Sequence, residues 1–203
     1  MKKRLYLTRH GQTVMNVEGR AQGRSDSPLT ELGKQQALEL HDFFIREGIT
    51  FDRVYTSPLK RAMDSTVLMT GQEGEVLEGI TEMSFGSREG KTHKDNFLYR
   101  DNMIRFGGED WHMAADRMYE ALGSIMDIEG NNSVLAVSHG ASNRSFYYKV
   151  IDMYDNFLFV PNCSVLVFDY EDGNFEFVEL IGPHIKEELE ELKRFPLPFG
   201  DNQ

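Results

Sequence analysis

Two short stretches of this 203-residue chain follow the same pattern. Thr8-Arg9-His10-Gly11 and Ser138-His139-Gly140 each place a histidine and a glycine directly after an apolar run. A third apolar run ends in Tyr55-Thr56-Ser57-Pro58, and Arg61 follows in what reads as the first turn of a helix. If the three runs are parallel strands of one α/β sheet, their carboxyl ends face a common crevice, where such sheets usually bind ligands. Arg9, Arg61, His10 and His139 then share one rim. The planar fork of arginine matches the oxygens of a phosphate, and two forks neutralise most of a dianion. Imidazole can attack phosphorus, and a phosphohistidine splits one hard step into two easier ones. The glycine after each histidine removes the Cβ that would keep a ligand away from the backbone.

Each feature alone has a plainer explanation. A lone histidine after a strand is commonly a structural residue, and an arginine early in a helix is commonly a solvated charge or half of an ion pair. The joint occurrence of the right residue types at three strand ends carries the argument. No metal is expected: His41, His93, His112 and His184 stand alone, and no His-Glu-x-x-His helix exists. Cys163 is the only cysteine, which excludes an intramolecular disulfide and a multi-cysteine metal site.

The elements that must position these residues follow from hydrophobic periodicity. Arg4–Thr8 and Phe51–Thr56 read as strands, Glu75–Leu77 as a short third, and Ser133–Ser138 as the strongest buried strand. Thr30 caps a helix in which Leu32, Gln36, Ala37, Leu40, Phe43 and Phe44 recur at helical spacing. Ser57 reads as the N-cap of another helix with Pro58 in its first position. Trp111, Ala115, Met118, Leu122 and Ile125 make one apolar stripe of a helix over 109–128, and a further helix covers about 141–151. Asp172-Gly173 joins Val165–Phe168 to Phe175–Val178 as a hairpin. Residues 80–108 are Gly-rich and polar, read as active-site loop with some helix from about Lys94 to Ile104. Ile185–Arg194 reads as a solvated, charge-rich helix. Short strands alternating with amphipathic helices predict an α/β fold, a three-layer α/β/α sandwich with a mostly parallel central sheet, formed as one domain over 1–203.

Composition narrows the partners. The chain carries 22 Lys and Arg against 33 Asp and Glu, a formal charge of -11, and its longest basic run is only Lys2-Lys3-Arg4. Nucleic acid and anionic membrane are therefore not expected as partners. No apolar run approaches the ~18 residues of a membrane helix. Only Leu5-Tyr6-Leu7 follow the basic start, too few for the core of a signal peptide, so a cytoplasmic location is expected. The hairpin edge near Phe175 leaves room for a homodimer without requiring one.

Thr8-Arg9-His10-Gly11-Gln12-Thr13 with Asn16 resembles the signature of the histidine phosphatase superfamily, the phosphoglycerate mutase-like fold. The resemblance continues in order through Gln22-Gly23, Asp26, Pro28-Leu29-Thr30, Gly33, Thr56–Ala62, Glu82–Gly86 and Ser138-His139-Gly140. It implies that His10 is the nucleophile and that Arg9, Arg61 and His139 hold the transferring phosphoryl group. Asn16 adds a hydrogen bond to phosphate, and Gln22 with Gly23 lines the site. Glu82 matches the acid that protonates the leaving oxygen and later helps to activate water, for which a raised pKa is expected. The implied activity is metal-independent hydrolysis of a small phosphorylated metabolite, without a cofactor.

One departure stands out. After Phe85-Gly86 many phosphatase-type members carry a tryptophan before Glu-Gly, whereas this chain has Ser87-Arg88-Glu89-Gly90. Arg88 either favours substrates with a second anionic group or simply faces solvent. The pocket lining is expected from residues 83–112, with Phe97, Tyr99, Arg100, Arg105, Phe106, Trp111 and His112 as candidates. Mutase chemistry is the first alternative. It is disfavoured because the chain is short and Lys91–Asn96 does not match the basic, Tyr- and Arg-containing lid of mutases. A catalytically silent domain that binds a phosphorylated ligand is the second, disfavoured because both histidines, both arginines and the acid are all present.

Overall fold

The structure is a computed structural model that describes residues 2–92, 103–153, 160–183 and 185. A six-stranded sheet is formed by β1 (Lys3–Arg9), β2 (Arg53–Thr56), β3 (Glu75–Val76), β4 (Ser133–Ser138), β5 (Val165–Glu171) and β6 (Asn174–Ile181). Its order is β3-β2-β4-β1-β5-β6. The pairs β2·β3, β2·β4 and β1·β4 are parallel, and β1·β5 and β5·β6 are antiparallel. The helices are α1 (Val14–Val17), α2 (Glu31–Arg46), α3 (Lys60–Thr70), α4 (Trp111–Met126) and α5 (Gly140–Ile151). None of the described helices is long and apolar enough to cross a membrane.

Strand alternation builds two cores, because successive side chains leave a sheet on opposite faces. Leu5, Leu7, Val134, Ala136, Leu166 and Phe168 face α4 and α5, meeting Met118, Leu122, Ile125, Met126 and Phe146. Leu135, Val137, Val165 and Val167 face the other way, onto Ala37, Leu40 and Phe44 of α2 and Ala62 and Met69 of α3. The result is the expected α/β/α sandwich. Local signals place the ends of the elements. Thr30 caps α2 by accepting from Gly33 N, and Asp110 caps α4 by accepting from Met113 N. Asp172 and Gly173 both take positive φ, 52° and 80°, as a tight hairpin turn requires.

Several expectations are corrected. The helix after β2 begins at Lys60 rather than at Ser57-Pro58, and Leu59 precedes it without a side-chain cap. The carboxylate of Asp26, from a distant loop, accepts from Lys60 N instead, so Ser57 is not needed as a cap. Leu32 is half-exposed, and Trp111 is half-buried, packing against a separate small cluster of Met83, Met103, Ala114 and Ala141 with the Arg144 guanidinium 4.6 Å from its ring centroid. The short helix α1, closed by a capping box between Thr13 and Asn16, is additional. Met103–Phe106 is a 3₁₀ turn; the rest of the helix expected over 94–104, and with it Phe97, Tyr99 and Arg100, lies outside the described residues. The C-terminal helix also lies outside them, apart from Ile185, which is buried.

The role of Gly11 is also different from the one expected. A Cβ on Gly11 would lie 2.2 Å from the Gly33 carbonyl oxygen, and one on Gly33 would lie 2.0 Å from the Gln12 carbonyl oxygen. The two glycines let the segment after His10 press backbone to backbone on the first turn of α2, where Gln12 O also accepts from Thr30 N at 2.9 Å. Neither contact can relax by a rotamer change. Gly33→Ala is expected to destabilise the fold by about 3 kcal/mol, the upper end for overpacking. Urea unfolding would show it as a lower midpoint at unchanged slope.

Candidate active site

Parallel register aligns the strand ends that carry the candidate residues. Arg9 of β1 pairs with Ser138 of β4, and Thr56 of β2 pairs with Val137 of β4. The first residues off three neighbouring strands are therefore His10, His139 and Ser57, with His139 on the middle strand. Their backbones are tied in turn, His10 N donating to Ser138 O at 3.1 Å and Ser57 N to Val137 O at 2.9 Å. The two imidazoles, both buried, lie with centroids 5.2 Å apart and planes inclined at 60°.

The surroundings of His10 define its protonation. Arg61 Nε donates to His10 Nε2 at 3.2 Å. A guanidinium is always a donor, so Nε2 must be the unprotonated nitrogen. Nδ1 then carries the proton and donates to the Gly11 carbonyl at 2.7 Å. Burial first, then the charges of Arg61 and Arg9, push His10 well below the ordinary histidine pKa, against the opposite pull of the Gly11 hydrogen bond. His10 is thus a neutral imidazole with its Nε2 lone pair turned to Arg61. Arg61 itself is fully buried and locked. Its Nη2 donates to Gly23 O at 2.8 Å, and its Nη1 to Ser25 O at 2.8 Å and to Asp26 Oδ1 at 3.1 Å. Asp26 therefore holds both the start of α3 and the arginine on it.

His139 Nε2 lies 2.7 Å from Ser57 Oγ, and His139 Nδ1 is buried with no hydrogen-bond partner among the described residues. Burial, then Arg61, His10, Arg9 and Arg117, hold its pKa well below the usual value. Arg9 Nη1 donates to Val160 O at 2.7 Å, and its guanidinium lies against Gly140, where a Cβ would come within 3.1 Å of Nε. Here the glycine after the histidine admits an arginine.

Glu82 is buried at the N-terminus of α5. Its Oε1 accepts from Met83 N and Ser142 N, both at 2.9 Å, and its Oε2 from Ala141 N at 3.2 Å. The carboxylate thus completes a helix start that the His139 side chain does not cap. Behind it, Arg117 Nη1 donates to Gly79 O and Thr81 O while its Nε and Nη2 grip Glu109, each at 3.0 Å.

The substrate-side candidates divide. Asn16 Oδ1 accepts from Thr13 N in the α1 capping box, so its amide nitrogen is the end left to donate to a phosphate. Gln22 is engaged at both ends, Nε2 donating to Thr13 Oγ1 at 2.6 Å and Oε1 accepting from Ser27 Oγ at 3.2 Å, and braces the loop. Gly23 contributes its carbonyl to Arg61. Arg88 is half-buried, with its guanidinium 5.3 Å from the Phe106 ring centroid, so it does not simply point into solvent. Sequence reasoning missed four supports. Ser65 Oγ accepts from Gly11 N, Asn162 Nδ2 donates to His10 O, Glu89 gathers Arg24 N, Ser25 N and Phe85 N, and Arg117 holds the segment over 79–81 that leads to Glu82. No spacing in the sequence signals them. Among the described residues, no three His, Cys, Asp or Glu side chains form a group that could hold a metal ion.

Residues 5–181 match the family model of the histidine phosphatase superfamily (branch 1), and the chain belongs to that superfamily. Among curated relatives, the probable phosphoglycerate mutase GpmB of Salmonella paratyphi A is 29% identical over 189 residues, covering 84% of this chain and 86% of the relative. Among solved structures, a histidine-to-alanine mutant of phosphoserine phosphatase from Entamoeba histolytica in complex with phosphoserine is 26% identical. It has a TM-score of 0.77 over 87% of this chain and 95% of that one. Phosphoserine phosphatase from the same organism, in complex with 3-phosphoglyceric acid, is 28% identical with a TM-score of 0.76 over 89% and 97%.

The two lowered histidine values make stability pH-dependent. In the unfolded chain both rings take up protons as pH falls through about 6.5, whereas in the folded chain they stay neutral to lower pH. The unfolded state then binds more protons, so stability falls as pH falls below that value. Two protons set a limiting slope of about 2.7 kcal/mol per pH unit. Urea midpoints measured from pH 7.5 to 5.5 should drop steeply below 6.5, and less steeply in His139→Gln. A profile unchanged by that substitution would mean that the His139 ring is already charged in the fold.

Proposed function

We propose that this superfamily member is a cytoplasmic, metal-independent phosphomonoester hydrolase acting on a small phosphorylated metabolite through a phosphohistidine at His10. The observation that carries the reading is the state of His10: neutral, proton on Nδ1 against Gly11 O, lone pair on Nε2. A phosphoryl dianion arriving beside Arg61 offers that guanidinium a charged acceptor in place of Nε2, which frees the lone pair. His10 Nε2 then attacks phosphorus in line as the ester P–O bond breaks, and the leaving oxygen takes a proton from Glu82, which enters this step as the carboxylic acid and leaves it as the carboxylate that the start of α5 holds. Oε2 of Glu82 has a single N–H partner and is the oxygen available to carry that proton. In the second step water attacks phosphorus, Glu82 takes its proton, the P–N bond breaks and His10 returns neutral. Arg9, Arg61 and His139 supply the positive and hydrogen-bonding surroundings that a phosphoryl transfer needs, with Asn16 adding a donor.

The two neighbouring structures that contain phosphoserine and 3-phosphoglyceric acid favour a substrate carrying a carboxylate beside its phosphate. Arg88, braced on Phe106, is the residue proposed to meet that second anion. Mutase action is a second reading, favoured by the naming of the curated relative as a probable phosphoglycerate mutase. The two differ in product. Hydrolysis releases inorganic phosphate from 3-phosphoglycerate, whereas a mutase returns an isomeric phosphoglycerate and releases none.

Phosphate release from p-nitrophenyl phosphate is expected to persist in excess EDTA and to vanish in His10→Ala. Activity lost to EDTA would overturn the mechanism. Glu82→Gln should slow phosphoserine turnover by about 10²-fold or more and the activated aryl ester far less, because only the poor leaving group needs a proton. In Arg88→Ala, KM for phosphoserine should rise about tenfold, as expected for one lost charged contact, with p-nitrophenyl phosphate nearly unchanged. Equal effects on both substrates would remove Arg88 from the binding of a second anion.

A further inference from the structure

Ser57 is buried completely, and its hydroxyl makes its short contact to a catalytic ring rather than to the helix it precedes. A hydroxyl has one donor and two acceptor sites. Leu59 N donates to Ser57 Oγ at 3.4 Å, and among the described residues the only other partner of that oxygen is His139 Nε2 at 2.7 Å. Two proton placements satisfy the shorter contact. If His139 Nε2 carried the proton and donated to Ser57, the Ser57 O–H would be buried without an acceptor, and the His139 Nδ1 lone pair would be buried without a donor. If Ser57 donates to an unprotonated Nε2, one group alone is left over, an N–H at His139 Nδ1. Each orphaned buried polar group costs about 1–3 kcal/mol, so the second arrangement is preferred. Its remaining orphan is a donor, in a ring that feels the positive charges of Arg61 and Arg9, where an anion would be welcome.

We infer that Ser57 is a positioning residue that sets the tautomer of His139, fixing the proton on Nδ1 so that this nitrogen donates to an oxygen of the bound phosphoryl group. The contact to the phosphoryl oxygen rests on the function proposed above, but the tautomer does not. The placement follows from the sheet. Ser57 and His139 are each the first residue off adjacent parallel strands, so the side chain of one reaches the ring of the other at a separation set by strand pairing. Asp26 takes Lys60 N at the start of α3 and leaves Ser57 free for this task. The two histidines then use matching devices. A donor from the neighbouring element holds Nε2 of each ring, Arg61 for His10 and Ser57 for His139, and both rings carry their proton on Nδ1.

The test is the ¹⁵N spectrum of the full chain labelled at histidine, with the His139 signals identified by their loss in His139→Gln. The intact protein should show a pyrrole-type Nδ1 and a pyridine-type Nε2 at His139, and Nδ1–H should shift on adding inorganic phosphate. Ser57→Ala should convert His139 to a mixture of tautomers while His10 keeps its Nδ1–H pattern. Ser57→Thr, which retains the hydroxyl, should restore the single form. With p-nitrophenyl phosphate, kcat/KM should fall about 10-fold or more in Ser57→Ala and recover in Ser57→Thr, the usual scale for losing the partner that orients a site imidazole. A proton on Nε2 of His139 in the intact protein would overturn the inference, as would an Nδ1–H form unaffected by Ser57→Ala. A protein without any phosphatase turnover but with the expected tautomers would instead count against the proposed function alone.

Discussion

A guanidinium cannot give up its proton, and Arg61 is almost wholly buried, so the protein itself must supply its hydrogen-bond partners. Everything that surrounds it must therefore be an acceptor. The carbonyls of Gly23 and Ser25, the carboxylate of Asp26 and the Nε2 lone pair of His10 fill that requirement. One constraint thus has several consequences. It folds the loop over 23–26 against α3, keeps His10 neutral, and selects the nitrogen of His10 that can act as a nucleophile. It also holds a positive charge at the site before any substrate arrives, so reorganisation on binding is small.

The sheet supplies the second part of the arrangement. Three parallel strands end within one residue of each other, and the side chains that follow lie in a row across the sheet, Ser57, His139, His10. Strand pairing is rigid on the scale of a hydrogen bond, which is the accuracy that phosphoryl transfer demands. The loops are then pressed onto the helices. Gly11 and Gly33 allow the close crossing beside α2, Ser65 holds Gly11 N from α3, and Glu89 collects three backbone donors from two loops.

Glu82 belongs to the opposite side of the site and is positioned by a helix terminus. The N–H groups of Ala141 and Ser142 are among the donors that α5 cannot satisfy internally, and a carboxylate is the natural partner for them. Because His139 immediately precedes the same helix, one terminus orients both the Glu82 carboxyl and the His139 imidazole. Arg117, paired with Glu109, stiffens the segment over 79–81 from behind. Burial works to raise the Glu109 carboxyl, yet the hydrogen bonds from Arg117 and Ser84 and the charges of Arg117 and Arg24 together hold it below the usual value. That pair therefore stays charged and braced.

The sequence by itself determined the layers and the strand ends. The unbroken apolar runs of β4 and β5, the helical stripes of α2 and α4, and local signals such as Thr30 and Asp172-Gly173 act over a few residues, so they can be read without the fold. The residue types for phosphoryl chemistry were legible for the same reason, since Arg9, His10, Arg61 and His139 each sit just past a recognisable strand. What only the tertiary structure decided is which donor meets which acceptor. Ser57 has the local appearance of a helix cap, but Asp26 takes Lys60 N, 34 residues further along the chain, and the Ser57 hydroxyl meets His139. Gln22 reads only as a lining residue until the fold ties its amide to Thr13 and Ser27, and Gly11 looks like room for a ligand until Gly33 fills the space. Hydrogen-bond partnership is decided within about 3 Å, by groups that are far apart in the chain and leave no periodic trace in it.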